Sequence, residues 1–253
     1  ITRMRFMQNT PLSLKPLDAI RSEPVPADIG NWLHEVLEVF LDQDMHNMPN
    51  PTDELKALMN KTLAAKSLNE ATLHTLKTKW HHIAVWFVNE LQENKDIIRE
   101  YITEKTLEKV IPINGEEFIL RGRVDRVDIM DTYVHLVDYK TGQIPTQKAV
   151  KQGVEPQLSL NALLWEETEG QQVHSFSYWR LKGHKEGGEI GLYDDIGTLK
   201  QKADEGLKRL LSVFWQETTP YHVHPNAKYT LAYDNYQHLS RQKEWGVYVT
   251  EEA

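Results

Sequence analysis

Gly122-Arg-Val-Asp-Arg-Val-Asp-Ile-Met-Asp-Thr-Tyr-Val-His-Leu-Val-Asp-Tyr-Lys-Thr-Gly142 is the stretch from which the fold can be read. Side chains two apart on a strand share a face, and neighbours oppose. Asp138 and Lys140 therefore point the same way. Upstream, Glu117 to Ile129 also alternates as a strand, with Asp125, Arg123 and Val127 on one face and Asp128 on the other. An even-length loop around Met130 to Tyr133 would pair Ile129 with Val134, Val127 with Leu136, Asp125 with Asp138 and Arg123 with Lys140. Like charges directly opposite destabilise a sheet. Facing carboxylates at Asp125 and Asp138 make sense around a divalent cation, and hard oxygen ligands suit Mg2+ or Mn2+. A lysine beside that ion can orient water and offset charge building on a phosphate. The same spacing on its own also fits a solvated hairpin in which Lys140 pairs with a carboxylate for roughly 0.2–1 kcal/mol.

Outward from this hairpin, Gly30-Asn-Trp-Leu-His-Glu-Val-Leu-Glu-Val-Phe40 predicts a helix. Leu33, Val36, Leu37 and Phe40 give an i, i+3, i+4, i+7 apolar stripe, and Asp28 can cap it. His34 sits at the edge of that stripe, where a lone histidine is more often a hydrogen-bonded boundary residue than a ligand. Downstream, Glu155-Pro-Gln-Leu-Ser-Leu-Asn-Ala162 opens a further helix, with Gln157 near its start and Leu160, Leu163 and Leu164 expected inside.

Gly-x-x-Asp-Arg-Val-Asp followed by Val-Asp-Tyr-Lys-Thr-Gly resembles the nuclease motifs of the PD-(D/E)xK superfamily, in its RecB-type branch. The histidine helix resembles the one by which that branch adds a histidine to the metal. The segment from Gln157 resembles its Gln-x-x-x-Tyr helix, with Asn161 in place of the tyrosine. Leu14 to Asp18 and the tail from Tyr233 to Trp245 are similar to AddB-type repair proteins, so the likeness runs from about Leu14 to Trp245. The resemblance implies an α/β fold with a restriction-endonuclease-like core, a mixed β-sheet flanked by helices, and a helical subregion. It implies metal binding by His34, Asp125, Asp138 and the carbonyl of Tyr139, with Lys140 and Gln157 completing the catalytic set. The expected activity is Mg2+-dependent (or Mn2+-dependent) hydrolysis of a DNA strand in helicase-coupled double-strand break repair, with a single strand of DNA and an AddA-like helicase subunit as partners. A catalytically silent DNA-binding or scaffolding module, or a related nuclease acting on RNA or in defence, are the alternatives.

Composition bounds the rest. The 253 residues carry a formal charge of −8 and no cysteine. The charge argues against a broad nucleic-acid-coating surface. Basic residues nevertheless gather near the motifs, namely Arg121, Arg123, Arg126, Lys140, Lys148 and Lys151, and Arg123, Arg126 and Gln157 are the expected contacts to the strand. Many members of the branch hold an iron–sulfur cluster on four cysteines; none is expected here. The lack of cysteine fits a cytoplasmic protein, and no apolar run is long enough to span a bilayer, so no membrane partner is expected. No phosphate-binding loop of a nucleotide-driven motor is present. One domain is expected over 1–253, with a helical part at 28–95, a nuclease core at 96–216 and a tail at 217–253. The first residue is Ile, and the resemblance places the region at the end of a longer polypeptide, so a fragment is expected.

Helices are expected at about Asp53 to Lys66, Asn69 to Gln92 and Ile196 to Trp215, and strands at Tyr101 to Ile111 and His174 to Leu181. Asn114-Gly115 reads as the turn of a hairpin, and Gly187-Gly188 as a plain turn. Trp80, Ile83, Ala84, Phe87 and Leu91 read as core, His81 and His82 as surface or boundary, and His222 and His224 as incidental residues of a crossing loop.

Overall fold

The computed structural model describes residues 23–216 together with 218 and 219. The expectations for Leu14 to Asp18, the two histidines at 222 and 224, and the tail from Tyr233 lie outside the described residues. Two strands, β1 (Glu100–Ile113) and β2 (Glu116–Ile129), pair antiparallel along their whole length, and Ile113 faces Glu116. Asn114 (φ 49°) and Gly115 (φ 86°) make the two-residue turn between them. Positive φ at both central positions matches the twist of the flanking strands, and that is why Asn-Gly stands there.

The third strand, β3 (Val134–Lys140), joins β2 with Ile129 opposite Val134 and Val127 opposite Leu136 as expected, but the further expected pairs, Asp125 with Asp138 and Arg123 with Lys140, are not part of the ladder. It then runs parallel to β4 (Val173–Leu181), which pairs antiparallel with β5 (Gly188–Leu192). The sheet order is β1-β2-β3-β4-β5, mixed in sense. Gly187 is the turn residue, at φ 73°, but Gly188 opens a fifth strand. Only five residues long and interrupted by Gly191, β5 carries too little alternation to stand out in the sequence.

Three helices cover one face: α1 (Pro26–Asp42), α2 (Pro51–Ala64) and α3 (Glu70–Asn94). Leu33, Val36, Leu37 and Phe40 of α1 and Trp80, Ile83, Ala84, Phe87 and Leu91 of α3 are buried there against Val137, Tyr139, Trp179 and Leu181 of the sheet. Each such large apolar side chain contributes about 1.5–3 kcal/mol on leaving water. Asp28 is not the cap of α1. Val25 is, and the Asp28 carboxylate reaches back from the first turn to accept its N–H at 3.0 Å.

The β3-to-β4 crossover contains a short α4 (Gln147–Lys151) and then α5 (Gln157–Glu169), and α6 (Ile196–Phe214) follows β5. Leu158, Ala162, Leu164 and Trp165 of α5 fill the opposite face of the sheet with Leu136, Phe176 and Tyr178. Leu160 and Leu163, expected in that core, are half-buried, displaced by Leu158 and Trp165. The result is a restriction-endonuclease-like α/β architecture. Among the described residues no helix is long and apolar enough to cross a membrane.

Candidate metal centre

The β2–β3 ladder stops at Arg126 opposite Val137. One residue further on, the backbone N–H of Tyr139 donates to Asp125 Oδ2 at 2.7 Å, so a carboxylate fills the place of a strand carbonyl. From the helical side, α1 brings His34 to this fork: Nδ1 lies 3.5 Å from Asp125 Oδ2, and the imidazole meets the Tyr139 ring edge-on at 5.6 Å. Gly30, one turn earlier, allows that approach, since a Cβ there would lie 3.2 Å from Thr141 Oγ1. On β1, Glu104 stands opposite Asp125, between the pairs Thr103–Arg126 and Lys105–Val124. Ligand atoms of His34, Glu104 and Asp125 all fall within 4.8 Å of one another.

Asp138 and Lys140 share the face turned toward α5, as their spacing requires. The Asp138 side chain is 4% exposed and its Oδ2 forms an ion pair with Lys140 Nζ at 2.6 Å. Gln157 ties the two together: its Nε2 donates to Asp138 Oδ1 at 2.5 Å, and its Oε1 accepts from Lys140 Nζ at 3.1 Å.

Burial pushes the Asp138 carboxyl up to about 6, and the neighbouring charge of Asp125 adds to this, against the pull of Lys140 and His34. Burial also raises Asp125, against the Tyr139 N–H and Lys140, and raises Glu104, with the charge of Asp125 adding to it. His34 is lowered by burial, against the acidic groups and a hydrogen bond to the Tyr139 backbone. A neutral imidazole has a lone pair for a cation, and carboxylates that repel their own ionisation are relieved by one. A donor set of one imidazole nitrogen and several carboxylate oxygens fits a divalent ion such as Mn2+ or Mg2+.

Arg126 is corrected by the structure. Its residue is 1% exposed, so it offers nothing to a nucleic acid. The guanidinium donates to both carboxylate oxygens of Asp128 at 2.7 and 2.9 Å and to Tyr139 Oη at 3.2 Å, and lies 4.1 Å from the Trp179 ring. Asp128 likewise is no surface group but the buried partner of this arginine. Arg123 is exposed and forms an ion pair with Glu104, while Arg121 pairs with Glu108 further along the hairpin. Asn161, where the motif has tyrosine, is buried, and its Nδ2 donates to the Arg123 carbonyl at 2.9 Å. Its role is to hold α5, and with it Gln157, against β2. Glu104 was missed because it belongs to no motif of the chain.

A model of the PD-(D/E)XK nuclease superfamily matches residues 3–234. Among curated proteins, an uncharacterized protein of Rickettsia bellii is 30% identical over 168 residues, which are 66% of this chain and 20% of that protein. An ATP-dependent helicase/deoxyribonuclease subunit of Carboxydothermus hydrogenoformans is 40% identical over 45 residues, 16% of this chain and 4% of its own. The protein of the same name from Clostridium perfringens is 23% identical over 155 residues, 51% of this chain and 13% of its own. The chain thus spans about a fifth of the length of the Rickettsia relative.

Proposed function

Because the chain belongs to the PD-(D/E)XK nuclease superfamily, we propose that it is a metal-dependent deoxyribonuclease domain that hydrolyses phosphodiester bonds of a DNA strand. The observation that carries this reading is the Asp138–Lys140–Gln157 triangle, set beside the His34–Asp125 pair at the fork of β2 and β3. His34, Asp125, Asp138 and the Tyr139 carbonyl are the residues that would hold Mg2+ or Mn2+. When bound, such an ion polarises the phosphate and makes water a better nucleophile. Lys140 holds the attacking water and faces the charge that develops on the phosphate. Gln157 keeps the Lys140 ammonium and the Asp138 carboxylate in one geometry, and Arg123, exposed at the same fork, contacts the strand.

The place of the reaction is proposed as helicase-coupled double-strand break processing in the cytoplasm, with an AddA-like helicase subunit as partner. The similarity to the two helicase/deoxyribonuclease proteins supports it. With a net charge of −8, binding of the isolated chain to DNA should be weak and salt-sensitive. The test is cleavage of end-labelled single-stranded DNA, duplex DNA and RNA by the chain with Mg2+, with Mn2+ and with chelator. Metal-dependent cleavage of DNA is expected. Binding of DNA without cleavage in any metal would make the domain a scaffold, and cleavage of RNA alone would move it to another substrate class.

A further inference from the structure

Asp125 and Glu104 face each other across β1 and β2, an arrangement of like charges that destabilises a sheet and that a counter-ion relieves. The counter-ion present is Arg123, which precedes Asp125 by two residues on the same face of β2 and ion-pairs with Glu104. The two partners differ in their surroundings: Arg123 is 62% exposed, whereas the Glu104 side chain is 11% exposed. Glu104 is thus fixed within the cluster, at a backbone φ of 48°, while the arginine reaches it from solvent.

We propose that Glu104 is a further ligand of the cation held by His34 and Asp125, and that the cation releases Arg123 from Glu104 to grip a phosphate of the strand. The proposal rests on the metal-dependent reading above. Ligand atoms of His34, Glu104 and Asp125 lie within 4.8 Å of one another, close enough to share one ion. A divalent ion among these carboxylates neutralises both Glu104 and Asp125, and the Arg123–Glu104 pair, solvated on its arginine side, gives way to the doubly charged ion. The freed guanidinium has the planar fork that matches a phosphate with two parallel hydrogen bonds. Metal and strand then bind with positive coupling, and by linkage each raises affinity for the other by the same factor.

The experiment measures Mn2+ binding to the 253-residue chain by the electron paramagnetic resonance signal of free Mn2+. It also measures binding of a fluorescent thymidine oligonucleotide, with Mn2+ or with chelator, in a Lys140→Ala background that spares the strand. Glu104→Gln should weaken Mn2+ by about tenfold or more and raise strand affinity in chelator, because Arg123 is no longer held. Arg123→Gln should tighten Mn2+ in the absence of DNA by about two- to fivefold and remove most of the Mn2+-dependent gain in strand affinity. Unchanged Mn2+ affinity in Arg123→Gln overturns the proposal, and so does unchanged Mn2+ affinity in Glu104→Gln. Because Arg123 is exposed, its variant decides the matter even if Glu104→Gln does not fold. A parent chain that binds no Mn2+ would instead sink the metal-dependent reading beneath.

Discussion

Tyr139 is held from both ends: its backbone N–H donates to Asp125 Oδ2 at 2.7 Å, and its hydroxyl accepts from Arg126 Nη1 at 3.2 Å. Asp125 and Arg126 are neighbours on β2, so their side chains leave the strand on opposite faces. One therefore reaches the fork beside His34 and Glu104, while the other enters the helical core. The Asp-Arg-Val-Asp segment sets the site with its first acid and anchors the sheet beneath it with its arginine and second acid.

Asp125→Asn and Asp128→Asn should accordingly fail in different ways. The first keeps the fold and loses cation affinity, since a neutral amide is a poor ligand for a hard ion. The second leaves the Arg126 guanidinium buried beside a neutral amide, at a cost of about 3–5 kcal/mol. Urea denaturation and Mn2+ titration of both variants separate the effects. A parent-like midpoint for Asp128→Asn would show that the buried pair does not stabilise the fold.

His135 gives a pH dependence outside the His34–Glu104–Asp125 cluster. Its two ring nitrogens lie 2.6 Å from Ser175 Oγ and 2.8 Å from Ser177 Oγ. Burial lowers it to about 4, only partly offset by Asp128 opposite it on β2. The unfolded histidine titrates at about 6.5, so the unfolded chain takes up the proton first. The contribution of His135 to stability is complete above that value and is lost as pH falls toward about 4, on the order of 3 kcal/mol in all. Urea midpoints measured between these two pH values should fall less steeply in His135→Gln than in the parent. Parallel slopes would remove His135 from the account.

Much of this was legible in the sequence, because strand parity and turn chemistry are local rules. Asp138, Lys140 and the β2–β3 register follow from counting by twos. Glu104, which belongs to no motif, went unread although a signal for it was there: once Asn114-Gly115 fixes Ile113 opposite Glu116, counting back along both strands sets Glu104 opposite Asp125. The environment of Arg126 was not legible. Charge and spacing are the same for an arginine on a DNA-facing surface and for one under Trp179, and only the packing of α3 on the sheet decides between them. Neither was the role of Asn161, which depends on how closely α5 approaches β2.

That approach makes Gly122 a sensitive position. A Cβ there would fall 2.3 Å from Asn161 Oδ1 and 2.8 Å from Leu164 Cδ1. Gly122→Ala should push α5 off β2, strain the Asn161 bond to the Arg123 carbonyl and cost about 1–3 kcal/mol. Because Gln157 rides on the same helix, cleavage should fall as well, while Mn2+ binding through His34 and Asp125 is largely kept. Asn161→Tyr, which restores the residue of the related motif, should be as damaging here, since Gly122 and Leu164 leave no room for the ring. A parent-like melting temperature for Gly122→Ala would mean that α5 is free to shift.

Lys140 decides between an enzyme and a binding module. Its ammonium ion-pairs with Asp138 and hydrogen-bonds to Gln157 Oε1, so removing it alters the polar triangle while leaving His34, Glu104 and Asp125 in place. If it acts on the water and on the developing phosphate charge, Lys140→Ala should retain Mn2+ and strand binding and lower the single-turnover rate at saturating DNA on the order of 10²–10³-fold. Lys140→Arg should not restore the rate fully, because a planar fork cannot put its charge where a compact ammonium does. Gln157→Ala, which frees the lysine without deleting it, should cost less than Lys140→Ala, for Asp138 still holds the ammonium. If the saturated rate of Lys140→Ala equals that of the parent while strand affinity drops, Lys140 binds substrate and the water is activated by another group.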